Sequence, residues 1–135
     1  MEEITVPAKK KELDKILSFF HQVLEEKECD QKIKFNLDLV VEEIFVNVSN
    51  YSYPNKEGVL TVKCDIDNDT NTFIMEFIDS GVKFNPLKVG DPDLNLNEKE
   101  RQVGGLGIFL AKKLTDEIFY SHEDNKNHLF IKKKL

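Results

Sequence analysis

Apolar residues recur at helical spacing in two long segments of the first half of the chain. In residues 9–27 they return every three or four positions, which predicts an amphipathic helix. A second helix is predicted for residues 31–51, where the apolar side chains gather on one face. The expected core positions of this second helix are Leu37, Val40, Val41, Ile44, Val48 and Tyr51.

Strands are predicted where apolar and polar residues alternate, or where β-prone residues cluster between turn residues. The first of them ends at Pro7 and is expected at a sheet edge, because proline cannot donate to a central ladder. Turn-forming residues at 67–71 and 123–127 predict two hairpins. The five predicted strands cover residues 3–6, 60–67, 72–79, 117–121 and 128–133.

Residues 80–103 show little periodicity and are rich in glycine and proline. Loops longer than about 12–15 residues are uncommon in compact domains and are usually lids, binding loops or disordered segments. A third helix is expected after residues 104–107 and should run to about Leu114. The element order predicts an α+β fold, a two-layer α/β sandwich whose mostly antiparallel sheet carries helices on one face. We expect a single domain over residues 1–135.

Composition and charge then narrow the classes of protein. The 135 residues are 40% hydrophobic and 33% charged, which is an ordinary globular balance. A net charge of −6 disfavours nucleic-acid binding, which needs a basic surface. No apolar run reaches the ~20 residues of a membrane span. The N-terminus also lacks the basic residues with which a signal peptide begins. Cys29 and Cys64 stand outside CxxC spacing, so we expect reduced thiols in a cytoplasmic protein, with one disulfide as the alternative. The histidines lack the spacing of zinc ligands.

Two short segments could carry chemistry on these elements. Glu43 and Asn47 lie one turn apart at the flank of the second helix's apolar face, whereas Glu42 lies roughly opposite that face. Glu43 and Asn47 could point into a cleft, or they could be ordinary surface residues. Asp79 stands where a strand ends and the long loop begins. It could be a turn former, with Gly81 at positive φ, or an acceptor that faces a ligand.

A third segment, Gly104-Gly105-Leu106-Gly107, opens the last helix. Free N–H groups at a helix start suit phosphate oxygens, although glycines also occur there for packing. No Gly-Lys-Ser/Thr follows, so the segment is not a Walker A loop. No strand directly precedes it, so it is not a Rossmann fingerprint either.

The order and spacing of the three segments resemble the N, G1 and G2 boxes of the GHKL ATPases, whose Bergerat fold is shared by gyrase, histidine kinases and a heat-shock chaperone. The short length, the N-terminal strand and the Phe84-Asn85-Pro86 extension are most similar to the anti-sigma factor serine kinases of the RsbW and SpoIIAB type. The matching segments are Val41-Glu42-Glu43-Ile44-Phe45-Val46-Asn47, Asp79-Ser80-Gly81-Val82-Lys83-Phe84-Asn85-Pro86 and Arg101-Gln102-Val103-Gly104-Gly105-Leu106-Gly107-Ile108-Phe109-Leu110.

This resemblance implies roles for individual residues. Asn47 would bind the Mg²⁺ that bridges the ATP phosphates, and Asp79 would accept a hydrogen bond from the adenine amino group. Gly81 would leave room for the base. Glu43 would be the catalytic general base that orients and deprotonates the attacking hydroxyl. The other nucleotide-binding residues implied are Phe84, Arg101, Gly104, Gly105, Leu106 and Gly107, with Arg101 expected to reach the γ-phosphate.

The function implied is an ATP-dependent serine/threonine protein kinase in transcription regulation. It would bind a sigma factor or a similar regulator and phosphorylate an anti-anti-sigma protein of the STAS type. The alternative is an ATP-gated binding module with little or no turnover, and the detached catalytic domain of a histidine kinase is a third. Whether the chain forms a homodimer is left open. In residues 50–53, Asn-Tyr-Ser-Tyr replaces the His-Ala-Tyr-like run frequent in the family.

Overall fold

The computed structural model describes residues 1–88 and 105–135, and for residues 105–107 only the backbone is considered. The segments between the main elements include two short 3₁₀ turns, Lys10–Glu12 and Pro86–Lys88. The main elements in chain order are β1 (Glu2–Pro7), α1 (Leu13–Glu25), α2 (Gln31–Tyr51), β2 (Val59–Asp67), β3 (Thr72–Asp79), α3 (Gly105–Leu114), β4 (Glu117–Glu123) and β5 (Lys126–Lys134).

The described strands form one five-stranded sheet in the order β1-β2-β3-β5-β4. All four pairings in it are antiparallel. β1 occupies one edge of the sheet. Pro7 at its end, which has no N–H to donate, therefore removes no hydrogen bond from the centre of the sheet. The predicted α+β class and the mostly antiparallel sheet are therefore confirmed.

The core lies between one face of this sheet and the helices. Alternate residues of the two strands β2 and β3 point into it, because successive strand side chains face opposite ways. Burying each such side chain contributes on the order of 1.5–3 kcal/mol. The core residues of these two strands are Leu60, Val62, Cys64, Phe73, Met75 and Phe77, and the helices add Ile16, Phe20, Leu37, Val40, Val41, Ile44, Phe45 and Ala111.

The core face of α2 differs from the prediction at two positions. Tyr51, expected in the core, is 40% exposed, because the last turn of α2 borders an open cleft rather than packed side chains. Phe45 lies off the predicted stripe and is fully buried. α2 contacts both α1 and α3 as well as the core, and a helix covered on several sides buries a wider arc than an amphipathic stripe predicts.

The last hairpin is tighter than the predicted turn over residues 123–127. Glu123 pairs with Lys126, which leaves a two-residue turn of Asp124 and Asn125. Both turn residues have positive φ, 54° and 60°, as a type I′ turn requires. Asn127 consequently belongs to β5 and lies directly opposite Asp79 of β3.

Candidate functional site

Helix α2 brings two of the predicted site residues to one flank. The helix begins after Asp30, whose side chain caps it by accepting a hydrogen bond from the Lys32 amide at 2.9 Å. Glu43 and Asn47 are both half-buried, whereas Glu42 is exposed as predicted. Within the described part of the chain, neither Glu43 nor Asn47 makes a side-chain hydrogen bond or ion pair. Their polar atoms are therefore available to a ligand or to water.

A cleft opens between α2, the end of β3 and the start of α3. Its volume is about 470 Å³ with the open mouth included, and the half-exposed Phe84 is part of its lining. The cleft is lined by Ile44, Asn47, Val48, Tyr51, Ser52, Phe77, Asp79, Phe84, Pro86, Ile108, Tyr120, Asn127 and Leu129.

Asp79 is a buried carboxylate at the end of β3, only 6% exposed. Its Oδ1 accepts the Gly81 amide at 2.9 Å and the Asn127 carboxamide at 2.9 Å. Among the described residues no donor reaches its Oδ2, and the side chain lines the cleft. The carboxylate therefore has one oxygen fixed by the protein and one free to accept a donor from a bound molecule.

The chain after Asp79 is held against the end of α2. The Val82 amide donates to the Ser52 carbonyl at 2.8 Å. A Cβ added to Gly81 would lie 2.0 Å from that same Ser52 oxygen. Gly81 does not adopt the positive φ of the turn-former alternative, so the position requires glycine because of the close approach of Ser52 and not because of backbone handedness.

Tyr53 adds a second connection between α2 and this loop. Its hydroxyl donates to the Val59 carbonyl at 2.6 Å and accepts the Ser80 amide at 2.8 Å. Burial raises the pKa of the Tyr53 phenol, which keeps the hydroxyl protonated as the donor. The departure from the family pattern at residues 50–53 thus leaves two residues, Ser52 and Tyr53, in direct contact with the Asp79–Val82 segment.

Sequence reasoning missed Asn127 and Tyr120. Asn127 lies 6% exposed beside Asp79, and the Tyr120 hydroxyl donates to its Oδ1 at 2.5 Å. The turn predicted for residues 123–127 includes Asn127, whereas the observed two-residue turn places it in β5 and brings its side chain to the cleft. The available signal was the Asp124-Asn125 pair, since both residue types tolerate the left-handed conformation of a type I′ turn.

Glu43 occupies a different part of the site from Asp79. It lies one turn before Asn47 on α2 but is not among the residues that line the cleft. Burial raises the pKa of its carboxyl, and the like charge of Glu42 raises it further. A carboxyl with an elevated pKa is better suited to accept a proton near neutral pH than an ordinary glutamate.

α3 runs from Gly105 to Leu114, so it ends where predicted but begins inside the glycine-rich segment rather than after it. Ile108, one turn into this helix, lines the cleft, so the helix start borders the same space as Asn47 and Asp79. Arg101 and Gly104 lie outside the described residues. The free N–H groups of a helix start are suited to an anion.

These residues fit Mg-ATP by their chemistry. Asp79 Oδ2 and the Asn47 carboxamide have no partner among the described residues, so the first can accept a hydrogen bond from the amino group of a purine and the second can offer an oxygen to a hard cation. Mg²⁺ usually takes only one or two protein ligands and completes its shell with phosphate and water.

The comparisons with known proteins agree with this fold. The family model of the histidine kinase-like ATPase domain matches residues 6–133, so the chain belongs to that family. It is similar to the serine-protein kinase RsbW of Bacillus mycoides (strain KBAB4), with 26% identity over 101 residues. The match covers 72% of this chain and 62% of that protein, which is less than two thirds of the relative's length. The resemblance to the RsbW type seen in the sequence is thereby confirmed.

Two solved structures share the fold. The RsbU and RsbW domains of a Mycobacterium tuberculosis protein superpose with a TM-score of 0.65 at 14% identity, covering all of this chain and 33% of that one. The histidine kinase domain of a blue-light activated histidine kinase from Erythrobacter litoralis gives a TM-score of 0.57 at 12% identity, covering 96% and 62%. In the part of the chain that the structure describes, no helix combines the length and the apolar character of a membrane span.

Proposed function

We propose that the chain binds Mg-ATP in the cleft and transfers the γ-phosphate to a serine or threonine of a small STAS-type antagonist protein. It would alternate between that antagonist and a sigma factor or a similar regulator, and so act as an anti-sigma factor. The observation that carries this proposal is that Asn47 of α2, Asp79 of β3 and the start of α3 border one cleft. The similarity to a serine-protein kinase RsbW supports the kinase class.

In this proposal each described side chain has a distinct task. Asp79 accepts the amino group of the base with the oxygen that the protein leaves free. Asn47 supplies an oxygen ligand to Mg²⁺, which when bound neutralises charge on the phosphates. Glu43 accepts the proton of the attacking hydroxyl, a task that its raised pKa favours. The backbone at the start of α3 donates to phosphate oxygens.

A second candidate function is an ATP-gated binding module that does not transfer phosphate. It is favoured by the position of Glu43, which lies outside the cleft lining while Asn47 and Asp79 lie within it. Such a module needs the two lining residues but not the general base. Both candidates share nucleotide binding and differ only in turnover.

The two candidates are separated by phosphoryl transfer. The purified chain, Mg-ATP and each STAS-type protein of the source genome would be mixed, and phosphoserine or phosphothreonine would be measured by mass spectrometry. The kinase proposal expects one of these proteins to be modified, and Glu43→Gln to abolish the modification. Nucleotide binding without modification of any of them would contradict the kinase proposal and support the binding module.

A further inference from the structure

The side chain of Asn127 makes four hydrogen bonds, each with a different partner. Its Nδ2 donates to Asp79 Oδ1 at 2.9 Å and to the Val82 carbonyl at 2.8 Å. Its Oδ1 accepts the Tyr120 hydroxyl at 2.5 Å and the Phe84 amide at 3.3 Å. The Asp79 carboxylate and the Val82 carbonyl can only accept, and the Phe84 amide can only donate, so a flipped carboxamide would lose these three bonds and could keep only the one with the Tyr120 hydroxyl.

These four bonds use the full capacity of the side chain. A carboxamide has two N–H donors and two acceptor lone pairs, and each is occupied within the protein. Asn127 therefore has no group left for a ligand, although it lines the cleft. Its action on a bound molecule must pass through the residues that it holds.

The partners of Asn127 belong to two functional parts of the site. Asp79 lines the cleft and carries Oδ2, which no donor among the described residues reaches, and Val82 and Phe84 belong to the segment that follows β3. The register of the sheet brings them together, because Asn127 pairs directly with Asp79 in the β3–β5 ladder. One side chain thus connects the carboxylate proposed to accept the base with residues 82–84, of which Phe84 also lines the cleft.

We propose that Asn127 is a positioning residue that holds Asp79 and the loop start as one hydrogen-bonded unit, so that preference for a 6-amino purine depends on a residue that does not contact the base. This inference rests on the proposed nucleotide site and concerns how that site selects its base. With Oδ1 of Asp79 held by Asn127 and the Gly81 amide, the carboxylate that lines the cleft keeps a fixed orientation. Without Asn127 the carboxylate can rotate, and the contact with the amino group loses its geometry.

The test compares ATP with purine riboside triphosphate, which is ATP without the 6-amino group. A hydrogen bond to a charged group implies that the wild-type chain prefers ATP by roughly 10- to 100-fold. In Asn127→Ala we expect this preference to shrink to within about threefold, since the amino group and Asn127 act through the same carboxylate. Asn127→Val serves as a second variant, because it fills the volume and favours a strand.

The control is Asn125→Gly in the exposed turn of the same hairpin, where φ is 60° and glycine fits without strain. It should keep the wild-type preference. Tyr120→Phe removes only the hydrogen bond that the Tyr120 hydroxyl donates to Asn127 Oδ1. This variant should therefore keep most of the preference for ATP. If both Asn127 variants bind the two nucleotides more weakly by the same factor, or keep the full preference, the positioning role is wrong.

A second readout needs no nucleotide and so separates this inference from the proposed function. In the ligand-free chain, the rate of hydrogen exchange at the Phe84 amide should rise by about tenfold in Asn127→Ala. The reason is that this amide loses its hydrogen bond to Asn127 Oδ1. The Val82 amide is held by Ser52 instead and should change much less. Unchanged exchange at Phe84 would contradict the anchoring of the loop. A wild-type chain that binds neither nucleotide would refute the proposed site, and with it the base-selection role.

Discussion

The two ends of the candidate site are built differently. At the end of the site where we propose that the base binds, here called the base end, hydrogen bonds join Asp79, Val82 and Ser80 to Asn127, Ser52 and Tyr53, respectively. At the α2 flank, Glu43 and Asn47 are half-buried and, within the described residues, make no side-chain hydrogen bond. The base end is therefore part of the folded framework, whereas the α2 flank carries groups that the fold does not need. Substitutions at the base end should cost stability, and substitutions at the flank should cost chemistry alone.

The largest expected effect is on phosphoryl transfer by Glu43→Gln. The carboxamide preserves shape but cannot accept the proton, so the rate should fall by about 10²–10⁴-fold. The free energy of unfolding should change by less than about 0.5 kcal/mol, as for substitutions without a lost contact. Rates of transfer and urea denaturation of the same preparation measure the two quantities.

Glu42→Gln is the matched control for that substitution, because Glu42 is the exposed neighbour on the same helix. It should transfer phosphate at nearly the wild-type rate. Equal losses in the two variants would remove the distinction between the faces of α2. In the wild-type chain, the raised pKa of Glu43 predicts that activity falls with decreasing pH earlier than an ordinary glutamate would cause.

At the base end, Gly81→Ala should produce the largest loss of stability. The new Cβ would lie 2.0 Å from the Ser52 carbonyl oxygen and 2.6 Å from its carbonyl carbon, and both of these atoms are backbone. Relieving that overlap requires a backbone shift, which we expect to cost about 3 kcal/mol. Ser80→Ala, at an exposed position next to it, should stay near wild type in urea denaturation. A fully stable Gly81→Ala would show that this end is less rigidly built than the structure indicates.

Asn47→Ala tests the α2 flank through Mg²⁺-dependent nucleotide binding rather than through stability. The Mg²⁺ dependence of ATP affinity should weaken by at least about tenfold, as is usual when a partner of a metal site is lost. The melting temperature without nucleotide should not change, because the side chain has no partner among the described residues. Titrations of ATP with and without Mg²⁺ measure the first quantity, and an unaltered Mg²⁺ dependence would remove Asn47 from the metal site.

The smallest expected effect is that of Tyr53→Phe. The variant keeps the ring but loses the bonds to the Val59 carbonyl and the Ser80 amide. Leaving these groups without a partner should cost about 1–2 kcal/mol. Thermal unfolding measures it, with Tyr51→Phe at the exposed end of α2 as the comparison. Equal melting temperatures for the two variants would place Tyr53 outside the framework.

The fold was predictable from the sequence because periodicity reports which face of each element is buried. Residues 31–51 and 72–79 were predicted with the bounds that α2 and β3 have. The burial of Phe45 was not predictable in this way, since it depends on how the helices pack around α2. A cleft position for Asn47 and a ligand-facing one for Asp79 were each one of two alternatives left open by their places on a helix flank and at a strand end. Their nucleotide roles, which a family resemblance implies, remain predictions.

The base-end network was the part that sequence could not supply. Asn127 lies 48 residues after Asp79 and meets it only through the register of two strands. That register depends on a two-residue turn, and a one-residue error in the turn would place Asn127 on the other face of the sheet. The requirement for glycine at position 81 was unpredictable for the same reason. It arises from a contact with Ser52 that no local sequence pattern reveals.

The measurement that tests the central claim most directly is calorimetric titration of ATP and ADP, with Mg²⁺, into the wild-type chain and Asp79→Asn. Asparagine keeps an oxygen that can accept from Gly81 and Asn127, so the fold should survive the substitution. We predict that both nucleotides bind the wild-type chain at submillimolar concentration, and that Asp79→Asn weakens ATP binding by roughly 10- to 100-fold. Absence of binding of either nucleotide to the wild-type chain at millimolar concentration, or equal affinities for the two proteins, would contradict the account.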